Sequence, residues 1–353
     1  MIPKVTSQWI LESAIGSKGL KLVHNVSIPQ LAEHDVLMKV HAVALNSRDN
    51  QIANGKYMFK SKGAVIPCSD CAGEIKAVGS KVSRFQPGSR AASTFHPRWH
   101  YGRLSSRDQL SQLGVLEDGV LKQYAVFHED SLVALPGNVN FLEGCTLPGA
   151  AVTAWSALFG SNRPCKPGDI VLIQGSGGVS LFACQFAHAA GATVIATTGA
   201  LGGEREQRLR ALGAKEVVSY RDPKWGSKVK NLTPSGRGVD FIIETSGAGD
   251  QDARCLAVGG QIAAIGGNGA SGGNVFDMRA IVGEVRKITV GNREQFEEMN
   301  RAIEGCKIRP VVDEKTFGWT EARAAFDYAE SGKMWGKVVI RVADGNDAIQ
   351  GKL

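Results

Sequence analysis

Apolar positions in residues 35–136 recur with the short period of strands. DVLMKVHAVALN (35–46) is an apolar run rich in β-formers, and AGEIKAVG (72–79) and KVSRFQPGSRAA (81–92) alternate and end in glycine turns. LKQYAVFHEDSLVALP (121–136) holds two more strand-like segments, so together these stretches predict a compact, barrel-like β domain. Residues 95–119, FHPRWHYGRLSSRDQLSQLGVLEDG, break the pattern with polar and aromatic residues. An irregular stretch of that length is uncommon in a compact domain unless it has a task.

From about residue 141 the rhythm changes. FLEGCTLPGAAVTAWSALFG reads as helix, and after the turn CKPGD a fully apolar strand (170–173) enters a glycine-rich turn, a helix and a second apolar strand (193–197). Continuous apolar runs of this kind suit parallel strands buried on both faces. The alternation continues through helix EREQRLRALGA, strands EVVSY and VDFIIETSG, helix DQDARCLAVGG, strands QIAAIGG and KITVGN, and helix EQFEEMNRAIEG. It spells an open, doubly wound α/β sheet. After residue 308, RPVVDEKTFGW and GKVVIRV return to the β pattern, so the first domain is expected to be completed by the C-terminal segment.

Composition narrows the classes. The 353 residues are comfortable for two domains, and 43% hydrophobic with 21% charged residues is ordinary for a soluble globular chain. No stretch approaches a membrane span, and MIPKVTSQWILES lacks the apolar core of a signal peptide, so a cytoplasmic, reducing setting is expected. The terminal GKL differs from the peroxisomal S-K-L address at its first residue and leaves a peroxisomal setting as the alternative. Seven scattered cysteines suit free thiols. The formal charge of +7 is spread along the chain without a basic run interleaved with aromatics, which argues against a nucleic-acid partner and for a small-molecule one.

The turn QGSGGVS carries the chemistry. Gly175 permits a tight turn, Gly177 lets backbone N–H groups approach a pyrophosphate, and the helix from Gly178 and Val179 onward offers its positive end, with Ser176 in the turn and Ser180 as the small residue at the third position. An NAD site usually places a carboxylate at the end of the second strand; here Thr198 and Gly199 stand there, with Arg205 following, which favours the 2′-phosphate of NADP(H).

These motifs, in this order, resemble the medium-chain dehydrogenase/reductase superfamily, and most of all its zinc-independent, quinone-oxidoreductase-like branch, which includes fungal zinc-type alcohol dehydrogenase-like proteins. HAVALNSRD, SDCAGEIKAVGSKVSRFQPGSR, LPGAAVTAWSAL, GSGGVS, RALGAKEVVSY, GVDFIIETSG, VGNREQFEEMNRAIE and GKMWGKVVI carry the resemblance through nearly the whole chain. It implies a GroES-like β-barrel catalytic domain from residues 1–140 and 306–353, a Rossmann NADP(H)-binding domain at 141–305, an active site in the cleft and a homodimer. Residue by residue it implies that Asn46 and Thr153 approach the nicotinamide, that Gly175 to Ser180 form the pyrophosphate turn, and that Gly199, Arg205 and Tyr220 form the 2′-phosphate pocket. Thr245, Ser246, Ile265, Gly266, Gly267, Gly291, Asn292 and Lys337 match loops that line the cofactor.

Zinc-dependent members place a Cys in the segment that here reads Asn46-Ser47-Arg48-Asp49, and a G-H-E triplet where this chain has Cys68, Ser69 and Asp70. No metal site is expected. A site joining Cys68 and Cys71 to His96 and His100, or a redox dithiol at Cys68 and Cys71, lacks the usual local context, and small packed residues are the favoured reading of this C-x-x-C. Related zinc-free reductases commonly carry a Tyr proton donor where Ser47 stands. Ser47, Tyr57, His100 and Tyr101 are therefore the candidate catalytic residues, with water as the alternative donor. Arg48 and Asp49 are expected to form a structural ion pair or hydrogen-bond anchor. The loop around His96, Trp99, His100 and Tyr101 would suit a flat, aromatic or polyketide-like substrate, or serve as a surface flap or dimer contact.

Three activities remain open on the sequence. The favoured one is an NADPH-dependent reductase of activated C=C bonds in an enone, enoyl or quinone substrate. A zinc-free carbonyl or alcohol oxidoreductase is the second, and a non-redox cyclase, isomerase or NADPH-binding protein the third.

Overall fold

The computed structural model describes residues 3–61, 63–265, 276 and 278–343. Gly266, Gly267 and the terminal GKL lie outside these residues. The chain divides into two compact units, Met1–Val152 with Asn292–Leu353, and Thr153–Gly291. The pattern in the sequence put the boundaries near 140 and 305 instead. The change of rhythm marked where helices begin, and the helices Phe141–Gly144 and Arg293–Gly305 both belong to the first unit.

In the first unit Asp35–Ala44 is the central strand. It pairs antiparallel with Asp70–Val78, Tyr124–His128 and the C-terminal Val339–Arg341, and the sheet continues through Arg90–Ser93 to Leu132–Ala134. Val36, Met38, Val40 and Val43 of that strand enter one apolar core with Ile75, Leu121, Leu132 and Ile340. Val5–Leu11 and Leu20–Ser27 form a separate antiparallel pair that the sequence pattern did not single out. The helix Ala322–Glu330 was also not anticipated. Its buried face, Ala322, Ala325 and Phe326, recurs at helical spacing, so the periodic signal was there to be read.

Residues 95–119 contain little regular structure beyond the short helix Ser106–Gln109, which Ser105 caps by accepting from Asp108 N. The loop is nevertheless packed. Leu113, Val115 and Val120 are buried, and a Cβ on Gly119 would lie 2.0 Å from the Cys68 carbonyl oxygen, so only glycine admits this approach.

The second unit is a six-stranded parallel sheet in the order Ala214–Ser219, Thr193–Thr198, Ile170–Gln174, Val239–Glu244, Leu256–Ala264, Gly283–Lys287. Ile170–Gln174 and Val239–Glu244 are buried at every position, as their continuous apolar runs require. Two expectations shift. The helix over DQDARCLAVGG stops at Cys255 because Leu256 already pairs with Val239, and the last strand is Gly283–Lys287, earlier than KITVGN. Short apolar runs do not distinguish helix from strand until a neighbouring strand claims them. No helix of the described residues is long and apolar enough to cross a membrane.

Phe326, 1% exposed, anchors the unanticipated helix in the first core. Phe326→Ala is expected to destabilise the protein by about 3–5 kcal/mol, read as a lower midpoint in denaturant unfolding.

Candidate functional site

The second unit builds a cradle at the end of its buried strand. After Gln174 the chain turns at Gly175, whose φ is +72°, and enters the helix Gly178–Ala189 through Gly177. Gly175 N–H donates to Thr197 Oγ1 at 3.2 Å, tying the turn to the next strand. Ser180, 1% exposed, donates its hydroxyl to Gln174 O at 2.6 Å, so the small residue at the third position also stitches helix to strand. Among the described residues, a Cβ on Gly175 or Gly177 would meet nothing within 4 Å. No described residue fills the space in front of this helix N-terminus, and helix N–H groups face it.

The corner beyond Thr193–Thr198 is basic. Tyr220 N–H donates to Thr198 O at 3.0 Å, and a Cβ on Gly199 would lie 2.7 Å from Tyr220 Oη and 3.8 Å from Arg221 Nε. Glycine at 199 thus lets the phenol and a guanidinium close on the strand end. Arg205 Nη1 donates to Ser176 Oγ at 2.9 Å, linking this corner to the turn. The neighbouring carboxylate Glu206 accepts from Gly202 N at 2.8 Å and pairs with Arg210. Arg221 was missed in the sequence, although a cation directly after the Tyr220 position is visible there.

Gln174 organises the loop after Val239–Glu244. Its carbonyl accepts from Thr245 Oγ1 at 3.0 Å, its Oε1 accepts from Ser246 Oγ at 2.7 Å, and its Nε2 donates to Asp252 Oδ1 at 2.6 Å. Buried Glu244 accepts from Ser246 N at 2.7 Å and from Gly247 N. Burial, followed by the nearby Glu244 charge, pushes the Asp252 carboxyl well above the usual carboxylate range. Ile265 N–H donates to Glu244 O at 2.9 Å, and Gly291 is buried. Thr153 is buried near the start of the helix Val152–Phe159.

The first unit gathers a second set of groups. Lys337, 4% exposed, donates from Nζ to Leu45 O and to Asn46 Oδ1, each at 2.6 Å, and stands 3.9 Å from Asp70 Oδ2. Asp70 accepts from Ser69 Oγ at 2.5 Å and from Gly149 N at 2.9 Å, the latter in a wide π-type turn over Leu147–Ala151. Such turns interrupt helices mostly where a site needs the backbone moved.

Arg48 and Asp49 do not pair with each other. Successive helix positions point about 100° apart. Arg48 lies over the rings of Phe95 (4.4 Å) and Tyr57 (5.4 Å) and donates to Leu113 O at 2.8 Å, while Asp49 Oδ2 accepts from Asn46 N at 2.7 Å. Both act as hydrogen-bond anchors. Burial lifts the Asp49 carboxyl to about 6 against the opposing pull of Arg48.

The four candidate proton donors separate clearly. Ser47 is exposed, and its Oγ accepts from Gln51 Nε2 at 3.4 Å. Tyr101 is 73% exposed, and His100 Nε2 lies 3.1 Å from Pro97 O. Tyr57 is half-buried with its hydroxyl donating to Gln112 Oε1 at 3.1 Å beside Arg48. Burial raises its pKa and the guanidinium opposes that rise. His96 turns inward, 2% exposed, and burial reinforced by Arg48 lowers it to about 4, so it stays neutral. Asn292 caps the helix Arg293–Gly305, accepting from Gln295 N at 2.9 Å and donating to Gly102 O at 3.3 Å.

Cys68 and Cys71 are fully buried, and burial pushes the Cys68 thiol well above its ordinary value and Cys71 up to about 12. Among the described residues no three His, Cys, Asp or Glu side chains are grouped to hold a metal ion.

The raised Asp49 carboxyl has a consequence with a definite sign. The folded state binds this proton more tightly than the unfolded one, so the contribution is favourable at low pH and is lost as pH rises from about 4 through about 6. Asp49→Asn is expected to gain stability relative to the parent over that interval, read from urea unfolding at pH 4, 5, 6 and 7. A constant difference across the series would remove the buried-carboxyl assignment.

Comparison with known proteins places these two units. The model of the alcohol dehydrogenase GroES-like domain matches residues 32–137, and that of the zinc-binding dehydrogenase matches residues 178–305. A zinc-type alcohol dehydrogenase-like protein of Schizosaccharomyces pombe is 38% identical over 89% of this chain and 93% of its own length. The quinone oxidoreductase of Mus musculus is 30% identical over 92% of this chain and 94% of its own. A crystal structure of a candidate alcohol dehydrogenase from Sinorhizobium meliloti superposes with a TM-score of 0.86 at 34% identity, covering 97% of this chain and 100% of that one. With a GroES-like β unit, a parallel dinucleotide-type sheet and relatives of this kind along its length, the chain belongs to the medium-chain dehydrogenase/reductase superfamily, in its quinone-oxidoreductase-like branch.

Proposed function

We propose that the protein is an NADP(H)-dependent, zinc-independent reductase that delivers hydride to the activated C=C bond of an enone, enoyl or quinone substrate. The observation that carries this reading is the state of Asp70. Its two oxygens take Ser69 Oγ and Gly149 N, and a lysine ammonium stands 3.9 Å from Oδ2. Zinc needs three or four deprotonated or neutral donors converging on one point. Here Ser69 is a hydroxyl turned to Asp70, and Asn46 faces Lys337 with its oxygen. Among the described residues no three His, Cys, Asp or Glu side chains are grouped here, which supports a reading in which side chains, not an ion, do the polarising.

The dinucleotide choice rests on the basic corner. Arg221 and Tyr220 flank Gly199, Arg205 reaches the turn through Ser176, and the nearby Glu206 is engaged with Gly202 and Arg210. Two guanidinium groups at the end of this strand suit a 2′-phosphate. When bound, the reduced nicotinamide supplies the hydride. The chain's own part is to orient, to exclude water and to provide a proton. Hydride addition at the β carbon of an enone moves the π electrons toward the carbonyl oxygen, and a donor near that enolate lowers the barrier. Tyr57 has the features of that donor: a half-buried hydroxyl held by Gln112, with Arg48 to stabilise the phenolate left when the proton goes to the substrate carbon. The phenolate regains its proton from water.

Arg221→Ala is expected to weaken NADPH binding about tenfold or more while leaving NADH binding unchanged, measured by fluorescence titration. Parent protein that binds NADH more tightly than NADPH would defeat the cofactor assignment, and stoichiometric zinc in the same active sample would defeat the zinc-free one. Tyr57→Phe is expected to lower kcat with an enone by about 10²–10⁴-fold at unchanged NADPH affinity. Full turnover by that variant would return the proton donor to solvent.

A further inference from the structure

Several chain segments meet at one buried ammonium. The Lys337 backbone is fixed on both sides, its N–H donating to Val311 O at 3.1 Å and its C=O accepting from Asp313 N at 2.9 Å. From there Nζ reaches Leu45 O and Asn46 Oδ1, each at 2.6 Å, with Asp70 Oδ2 at 3.9 Å. An ammonium carries donors only, so the Asn46 amide has to present its oxygen to Lys337. That settles which end of the amide points the other way. Asn46 Nδ2 is buried and has no hydrogen-bond partner among the described residues.

The rest of Asn46 is held just as firmly. Its backbone is extended at φ −115° and ψ 156°, with the N–H on Asp49 Oδ2 at 2.7 Å. Gly149 closes the remaining side. A Cβ there would lie 2.6 Å from Asp70 Oδ2 and 3.0 Å from both amide atoms of Asn46, so the amide has a fixed wall against it. A buried amide donor with no acceptor is rare in native proteins and needs a reason. The arrangement maintains such a donor with an ion-assisted hydrogen bond, and a ligand oxygen is the partner that would satisfy it.

We propose that Lys337 is a positioning residue that locks the Asn46 amide so that Nδ2 donates to an acceptor oxygen of the bound ligand. That oxygen is either the carboxamide oxygen of the dinucleotide or the carbonyl oxygen of the substrate. The proposal rests on the reductase reading and assigns Lys337 no direct contact with the ligand.

A double-mutant cycle on the full chain tests it, using Asn46→Ala, Lys337→Met and the double variant, with Asn46→Asp as a fourth protein that keeps oxygens for Lys337 but lacks the donor. NADPH and NADH dissociation constants, kcat and KM with 3-penten-2-one, and thermal midpoints are measured for each. Each single variant is expected to lose about tenfold or more, and the double variant no more than the weaker single, because both substitutions remove one interaction. A loss in dinucleotide affinity assigns the oxygen to the cofactor; a loss in kcat/KM at constant affinity assigns it to the substrate. Lys337→Gln, which retains a donor for Asn46 Oδ1, replaces Lys337→Met if the latter does not fold, with a smaller loss expected. Losses that multiply in the double variant overturn the proposal, as does Asn46→Asp with parental constants, or a Lys337 variant that lowers only the thermal midpoint. Parent protein that binds NADPH without reducing any enone or quinone defeats the reductase reading while the affinity measurements still decide the Lys337 claim. Parent protein that binds neither dinucleotide defeats both.

Discussion

A lysine ammonium at 4% exposure has to find acceptors, and that requirement sets much of the first unit. Lys337 meets it with Leu45 O, Asn46 Oδ1 and the nearby Asp70 carboxylate, three groups from two neighbouring strands and their ends. The pairing that brings it there is apolar. Val339 faces Ala44 and Ile340 faces Val43, so the buried side chains of the C-terminal strand choose the register, and Lys337 arrives two residues before it. A slip of one residue would turn Ile340 out of the core and carry the ammonium away from Asn46. Hydrophobic register and buried charge therefore specify the same arrangement.

Gln174 plays the corresponding part in the second unit with a neutral side chain. A primary amide can accept and donate at once, and this one accepts from Ser246 while donating to Asp252. Its carbonyl accepts the hydroxyls of Ser180 and Thr245. The glycine turn that faces an open space thus starts from a strand end whose polar atoms are bonded. An open turn of this kind keeps its shape only if its base is rigid, and the base here is a hydrogen-bond hub rather than packing alone. The upward push on the Asp252 carboxyl fits the hub, since burial and the neighbouring Glu244 both disfavour a further negative charge there.

How far the sequence could be read follows from what each signal measures. Continuous apolar runs identified the parallel strands Ile170–Gln174 and Val239–Glu244 because burial on both faces leaves a one-dimensional trace. The Gly175–Ser180 turn was legible for a similar reason, as its geometry demands particular residues in fixed order. The helix Ala322–Glu330 was overlooked although its buried positions recur at helical spacing, and Leu256 was assigned to a helix because its strand partner Val239 is distant in sequence. The site divides in the same way. Residue identity pointed to Arg205 and the family resemblance to Tyr220, but the neighbouring Arg221 emerged only from its approach to Gly199. Arg48 and Asp49 looked like a pair because opposite charges were adjacent, whereas on a helix adjacency separates them.

The C-x-x-C at Cys68 and Cys71 takes its meaning from the loop packed over it. Cys68 has φ of +69°, a conformation uncommon outside glycine, and it is fully buried. Gly114 and Gly119 both press on its backbone, so the loop at 95–119 is seated on this residue through main-chain contact. Gly119 N–H donates to Ile66 O at 2.7 Å and Val120 N–H to Cys68 O at 3.0 Å. A small, weakly polar side chain tolerates that environment, and with Asp49 and Asp70 nearby a thiolate is disfavoured twice over, by burial and by like charge. The backbone at Cys68 is thus a seat for the loop carrying Phe95, His96 and Gln112, which closes around Arg48 and Tyr57.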